Sequence, residues 1–131
     1  MKRKAVSLLM LGMLAFAMGA QAGTTAADLA KNCRLSIAYT ENVPADLSDT
    51  AKIRAGQCLG MMEAIEDMNA WFRVNGAKNS ARMCKPATVT KLTDLAKVFI
   101  KYVEEHPEEQ DKSGAIVAQH ALRVAFPCKP V

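Results

Sequence analysis

Two histidines, His106 and His120, are the only imidazole donors in the chain, and no two of its four cysteines stand in Cys-x-x-Cys spacing. Structural zinc takes four nitrogen or sulfur ligands in a tetrahedron, so this scarcity argues against a metal centre. Also missing are a glycine-rich phosphate loop, a Gly-x-Ser-x-Gly elbow and a His-Glu-x-x-His helix. Those are the local patterns that cradle phosphates, expose a serine nucleophile or hold catalytic zinc. No stretch alternates apolar and polar residues at the period of a strand. No segment is repeated or low in complexity, and none reads as an interdomain linker. No cofactor, metal or catalytic residue is expected, so function is sought in binding.

No apolar run is long enough for a membrane-spanning helix either. Ala5 to Gly19 extends uncharged for about 15 residues, short of the roughly 20 that a helix needs to cross a bilayer. The run follows Lys2, Arg3 and Lys4 and leads into Ala20-Gln21-Ala22, the small-x-small form of a signal peptidase site. Residues 1–22 are therefore expected to be a cleaved secretory signal, leaving 23–131 as one mature domain. The first cysteine, Cys33, lies well past the cut, which excludes a lipoprotein anchor. Three of the 17 Lys and Arg leave with the signal, so against 13 Asp and Glu the net charge falls from +4 to +1. So small a balance removes the case for nucleic acid as a partner. After cleavage no membrane association is expected.

All four cysteines fall in the mature part, and an even count in an exported chain reads as two disulfides. Four cysteines allow three connectivities, and spacing alone does not choose among them. Cys33–Cys58 and Cys84–Cys128 is the expected pairing, because it joins the first helix to the second and the third segment's start to the tail. With all thiols consumed, a Cys/His nucleophile paired with His106 or His120 is not expected.

The chain reads as four helices. Thr24 or Thr25 caps the first, which runs to about Tyr39 with Leu29, Cys33 and Ile37 on one face. Asn42 to Leu47, with Pro44, breaks it. Ser48 and Asp49 open a second helix to about Val74, with an apolar stripe of Ala51, Ala55, Cys58, Met62, Ile65, Met68 and Phe72, closed by Asn75-Gly76. Thr88 or Thr90 caps the third, which buries Leu92, Leu95, Ala96, Phe99 and Val103 and stops at His106-Pro107. Pro107 is expected in the first turn of the fourth, which passes through Ile116, Val117, Ala121 and Leu122 to about Ala125. The fold class is thus all-α, a small four-helix, disulfide-stapled domain. Gly60 and Gly114, inside helical patterns, imply close approach of a neighbouring helix. Glu63, Glu66 and Asp67 read as a solvated face, and Met61, Met62 and Met68 as pliable core.

Cys58-Leu59-Gly60, Cys84-Lys85-Pro86 followed by Val89-Thr90, His106-Pro107-Glu108, and Ala121-Leu122 followed by Ala125-Phe126-Pro127-Cys128 occur in this order. The combination resembles the Rap/Tai family of periplasmic immunity proteins, which neutralise peptidoglycan amidase effectors delivered by type VI secretion. The resemblance covers most of Cys58 to Cys128. It implies an all-helical, disulfide-bonded periplasmic protein, often a homodimer, that inhibits an enzyme by binding it and has no catalytic residues of its own. A periplasmic helical stress protein or chaperone is the alternative, and would act through apolar surface uncovered at low pH.

Two surfaces are candidates for such contacts. Trp71 and Phe72, at the end of the second helix, are expected at a dimer interface. Glu104 and Glu105 occupy the last turn of the third helix, the end where carboxylates are disfavoured by roughly 0.3–1 kcal/mol. Lys101 precedes Glu105 in the weaker orientation for such a pair. With His106, and with Glu108, Glu109 and Asp111 in the first turn of the fourth helix, they are expected to present a negative knob to a basic groove on a partner. The basic stretch around Lys78 and Arg82 is the second choice.

Overall fold

The computed structural model describes residues 23–41 and 47–129. The expected signal segment and residues 42–46 of the expected break lie outside these limits. Four α-helices follow in order: α1 (Ala26–Glu41), α2 (Asp49–Val74), α3 (Leu92–Glu105) and α4 (Gly114–Ala125), with short 3-10 turns at Asn79–Ala81 and Pro107–Glu109. Among the described residues extended pairing is limited to two isolated antiparallel bridges, Thr25 with Ser113 and Met83 with Pro127. The fold is therefore an all-α domain carrying two disulfides.

Local chemistry sets most helix ends. The Thr25 hydroxyl accepts the Asp28 amide at 3.1 Å and donates to the Asp28 carboxylate at 3.0 Å, which starts α1. Ser48 Oγ accepts the Ala51 amide at the start of α2. At its far end the Ala77 amide returns to the Phe72 carbonyl at 2.9 Å. Gly76 stands at φ 67°, a left-handed conformation that glycine adopts without a side-chain penalty. The start of α3 differs from expectation, since neither Thr88 nor Thr90 caps it. Lys91 precedes the helix, its amide donating to the Asp94 carboxylate at 3.4 Å while the Asp94 amide donates to the Lys91 carbonyl at 3.0 Å.

Helix α1 is the centre of the packing, lying most extensively against α2 and then α3. Leu29, Cys33, Cys58, Met62, Leu95, Phe99, Val117 and Leu122 form one core drawn from all four helices. The Cys33–Cys58 disulfide joins α1 to α2 inside that core, with both residues fully buried. One turn further on, buried Ser36 reaches the Ala55 carbonyl of α2 at 2.6 Å. The second disulfide, Cys84–Cys128, closes a strap over the end of the bundle. Asn69 of α2 holds this strap from beneath, donating to the Met83 carbonyl at 2.9 Å and accepting the Met83 amide at 2.7 Å. The Cys84 amide bonds to the Phe126 carbonyl.

Three expectations about packing fail. The stripe of α2 is buried only at Ala55, Cys58, Met62 and Ile65, while Met68 is 49% exposed, with its sulfur 3.5 Å from the Gln119 amide of α4. Gly60 faces outward, and a Cβ there would meet nothing within 4 Å, so no helix crosses closely at that point. Gly114 does mark a close approach. A Cβ there would come within 2.9 Å of the Thr25 carbonyl oxygen and 3.0 Å of Leu29 Cβ. Finally, α4 begins at Gly114, and Pro107 opens a separate 3-10 turn instead.

Candidate protein-interaction surfaces

The corner between α3 and α4 is built from backbone bonds. Helix α3 stops at His106 because Pro107 offers no amide and disfavours a helical residue before it. The chain then tightens, with Glu109 donating to the His106 carbonyl at 3.0 Å and Lys112 to the Glu109 carbonyl at 3.1 Å. It does not continue into a helix because α1 takes the carbonyls that a helix would need. The Ala27 amide donates to Gln110 O at 3.0 Å and the Ala26 amide to Lys112 O at 2.9 Å. Gly114 in turn donates to Thr24 O at 2.8 Å. Glu108 and Glu109 therefore sit in the 3-10 turn and Asp111 in the turn that follows it, so the start of α4 does not account for their charge.

The acidic side chains at this corner have partners of unequal kind. Glu104 meets Arg34 of α1 at 2.7 Å, which supplies the compensation that a reading of α3 alone misses. Glu105 lies 3.8 Å from Lys101, and Glu109 lies 2.7 Å from Lys112. Glu108 faces His106 Nδ1 at 3.0 Å, and Asp111 is in no ion pair among the described residues. Hydrogen bonds from its own backbone amide and from His106 hold the Glu108 carboxyl below the usual glutamate range. The hydrogen bond to Glu109 raises the Lys112 ammonium above its ordinary value. His106 stacks on Tyr102 with ring centroids 4.1 Å apart, and His120 of α4 meets the same tyrosine edge-on at 5.7 Å. Burial, with Glu109 and Glu108 nearby, pushes the Tyr102 phenol up, so it remains neutral at ordinary pH.

The pair expected at a dimer interface, Trp71 and Phe72, is divided between two environments. Trp71 is 61% exposed, whereas Phe72 turns into a groove lined by Ile65, Asn69, Met83 and Leu122. Their rings touch edge to face at 5.6 Å. The outward surface beside Trp71 also carries Met68, whose sulfur lies 3.5 Å from the Gln119 amide of α4. On the opposite side of that end, Arg82 is half-buried and bonded to Asn79, and Asn79 also donates to the Lys129 carbonyl at 2.8 Å. Lys78 is exposed. Of the face expected to be solvated, Glu63 and Asp67 are exposed, while Glu66 is half-buried and pairs with Lys85.

Among the described residues no three His, Cys, Asp or Glu side chains are grouped to hold a metal, and no cysteine is free. No described helix is long and apolar enough to cross a membrane. What the corner can do chemically is offer carboxylates, fixed by the fold, to a cationic surface. Tyr102 and Arg34 escaped the reading of the sequence. The four-residue spacing of Tyr102 and His106 on one helix was a usable signal, but nothing local pointed to Arg34.

A family model described as Rap1a immunity proteins matches residues 25–128. No curated protein and no solved structure matches the chain.

Proposed function

Since this chain belongs to the family of Rap1a immunity proteins, we propose that it acts after export, in the periplasm, by binding a peptidoglycan amidase effector of type VI secretion and blocking it. Inhibition proceeds by protein–protein contact, with no catalytic step by the immunity protein. The observation that carries the reading is the acidic corner. Its backbone is tied to the first turn of α1 by the bonds from Ala26, Ala27 and Gly114, so its carboxylates are presented at low ordering cost. Glu108 and Asp111 are the exposed members in no ion pair with a Lys or Arg among the described residues, which makes them the principal contacts. Glu104, Glu105, His106 and Glu109 frame them.

The protein forms a homodimer through the outward surface of α2. Trp71 supplies its exposed ring there and Phe72 the edge of its half-buried one. This arrangement leaves the acidic corner of each copy open.

The test mixes the mature domain with a type VI peptidoglycan amidase effector and follows release of peptide from peptidoglycan. Stoichiometric loss of amidase activity supports the reading. Full activity at excess mature domain, combined with capture of unfolded clients only at acid pH, supports the chaperone alternative instead.

A further inference from the structure

We propose that the Cys84–Cys128 disulfide is a thiol-exchange site, opened by a dithiol that attacks Cys84, and that its opening releases the strap from the end of α2. The site lies at the opposite end of α4 from the acidic corner, so it holds whether or not that corner meets an effector. The contrast between the two bridges carries the exchange. Cys33 and Cys58 are fully buried between α1 and α2, so no thiolate reaches their sulfurs in the folded domain. Cys84 is exposed on the strap, and Cys128 is half-buried. Exchange requires a thiolate to approach one sulfur of the disulfide, and Cys84 is the one that offers an entrance. Cationic residues adjoin the bridge along the chain, with Arg82 and Lys85 around Cys84 and Lys129 after Cys128. Positive charge favours both the incoming thiolate and the departure of Cys128 as a thiolate.

The exchange has two steps. One thiolate of the dithiol attacks Cys84 Sγ, forming a mixed disulfide and expelling the Cys128 thiolate, which takes a proton from solvent. The second thiol of the dithiol, deprotonated, then attacks its own sulfur in the mixed disulfide and expels the Cys84 thiolate, which is protonated in turn. Two electrons pass from the dithiol to the cystine, and the dithiol leaves as a disulfide.

The contacts of the strap carry the release. Met83, beside Cys84, is buried in the groove that also holds Phe72, Ile65 and Leu122. Its backbone is held from α2 by Asn69 alone, at 2.9 and 2.7 Å. On its other side Met83 bridges Pro127, and the Cys84 amide donates to the Phe126 carbonyl at 2.8 Å. The disulfide therefore ties together the two short segments whose pairing keeps Met83 over Phe72. Phe72 in turn supports Trp71 edge to face. Without the bridge, the stretch of α2 from Asn69 to Val74 loses the cover of Met83, while its earlier turns stay clamped to α1 by Cys33–Cys58.

The experiment uses the folded, oxidised mature domain with two thiol probes. A brief exposure to glutathione, quenched with acid, is expected to leave glutathione on Cys84 and a free thiol at Cys128, read by peptide mass spectrometry. Dithiothreitol under native conditions should then free Cys84 and Cys128 while Cys33–Cys58 stays closed. In that state amide hydrogen exchange at residues 69–74 should quicken about tenfold or more, and exchange at residues 29–37 of α1 should change by less than about twofold. Fluorescence anisotropy of Trp71, the only tryptophan of the chain, should fall in the same step. The double variant Cys84→Ser, Cys128→Ser should show the same pattern without reductant, and the reduced wild type retains the test if that variant fails to fold. Glutathione chiefly on Cys128, or all four cysteines freed at one rate, overturns the exchange site. Unchanged exchange at 69–74 in a domain whose Cys84 and Cys128 are both free overturns the release.

Discussion

Gly114 donates its amide to the carbonyl of Thr24 at 2.8 Å, so the start of α4 lies directly against the residues that precede α1. A side chain at Gly114 would strike the carbonyl oxygens of Thr24 and Thr25, which are backbone atoms and cannot swing aside. Gly114→Ala is expected to destabilise the domain by about 1–3 kcal/mol, overriding its gain of about 1 kcal/mol in helix propensity. Gly60→Ala meets open space and should stabilise by up to about 1 kcal/mol. Thermal unfolding of the two variants checks the contrast, and equal shifts in the same direction would contradict it.

The two disulfides should not open together. Cys33–Cys58 is fully buried between α1 and α2, while Cys84 is exposed on the strap. Mild reduction followed by alkylation should label Cys84 and Cys128 first, with helix content largely kept. Because the loops span 25 and 44 residues, loss of either bridge should cost about 3–4 kcal/mol in the chain-entropy model. Peptide mass spectrometry showing Cys33 labelled first would sink this ordering.

Acid should weaken the link between α1 and α3. The Lys97 ammonium, 2.7 Å from Glu41, holds that carboxyl below the usual glutamate range, and the Thr25 hydroxyl and then Lys31 do the same for Asp28. A carboxyl lowered by folding stabilises the native state above its unfolded value, near 4, and loses that contribution as pH falls through the lower folded value. The melting temperature should therefore drop between about pH 5 and pH 2, and Glu41→Gln should drop less. Parallel curves for variant and wild type would exclude the assignment.

What could be read from the chain beforehand divides along the range of the interactions. Ser48 and Gly76 act within a few residues of themselves, and the limits of α2 were visible in their positions. The start of α4 was not, because the carbonyls of Gln110 and Lys112 are claimed by amides of α1 that lie more than eighty residues earlier. Pro107 announces a first turn in either case, and only the tertiary contact decides that the turn ends after Glu109. The acidic corner was legible as composition. Its charge balance was not, since Arg34 reaches Glu104 across 70 residues. Burial on α2 failed at Met68 as well, since periodicity marks a face but not which of its residues a neighbouring helix covers.

Dimerisation through α2 predicts that Trp71→Ala yields a monomer with little change in stability, because the ring is mostly solvent-facing in the single chain. Sedimentation of wild type and variant at equal concentration checks this. A wild-type monomer at tens of micromolar, or a dimer that survives the substitution, would place the contact elsewhere or remove it.

The central claim is that the carboxylates at the end of α3 and in the turn after it hold the effector. It is tested most directly by the affinity of the mature domain for the proposed amidase effector, measured calorimetrically for wild type and for the double variant Glu108→Gln, Asp111→Asn. These two side chains are exposed and make no ion pair with a permanent cation among the described residues, so the variant should stay folded and melt only slightly below wild type, by the lost hydrogen bonds to the Glu108 carboxylate. Its affinity should fall roughly tenfold or more, about 1.4 kcal/mol. An unchanged affinity in a folded double variant would contradict the claim and move the contact to another face, with Lys78 and Arg82 next in line.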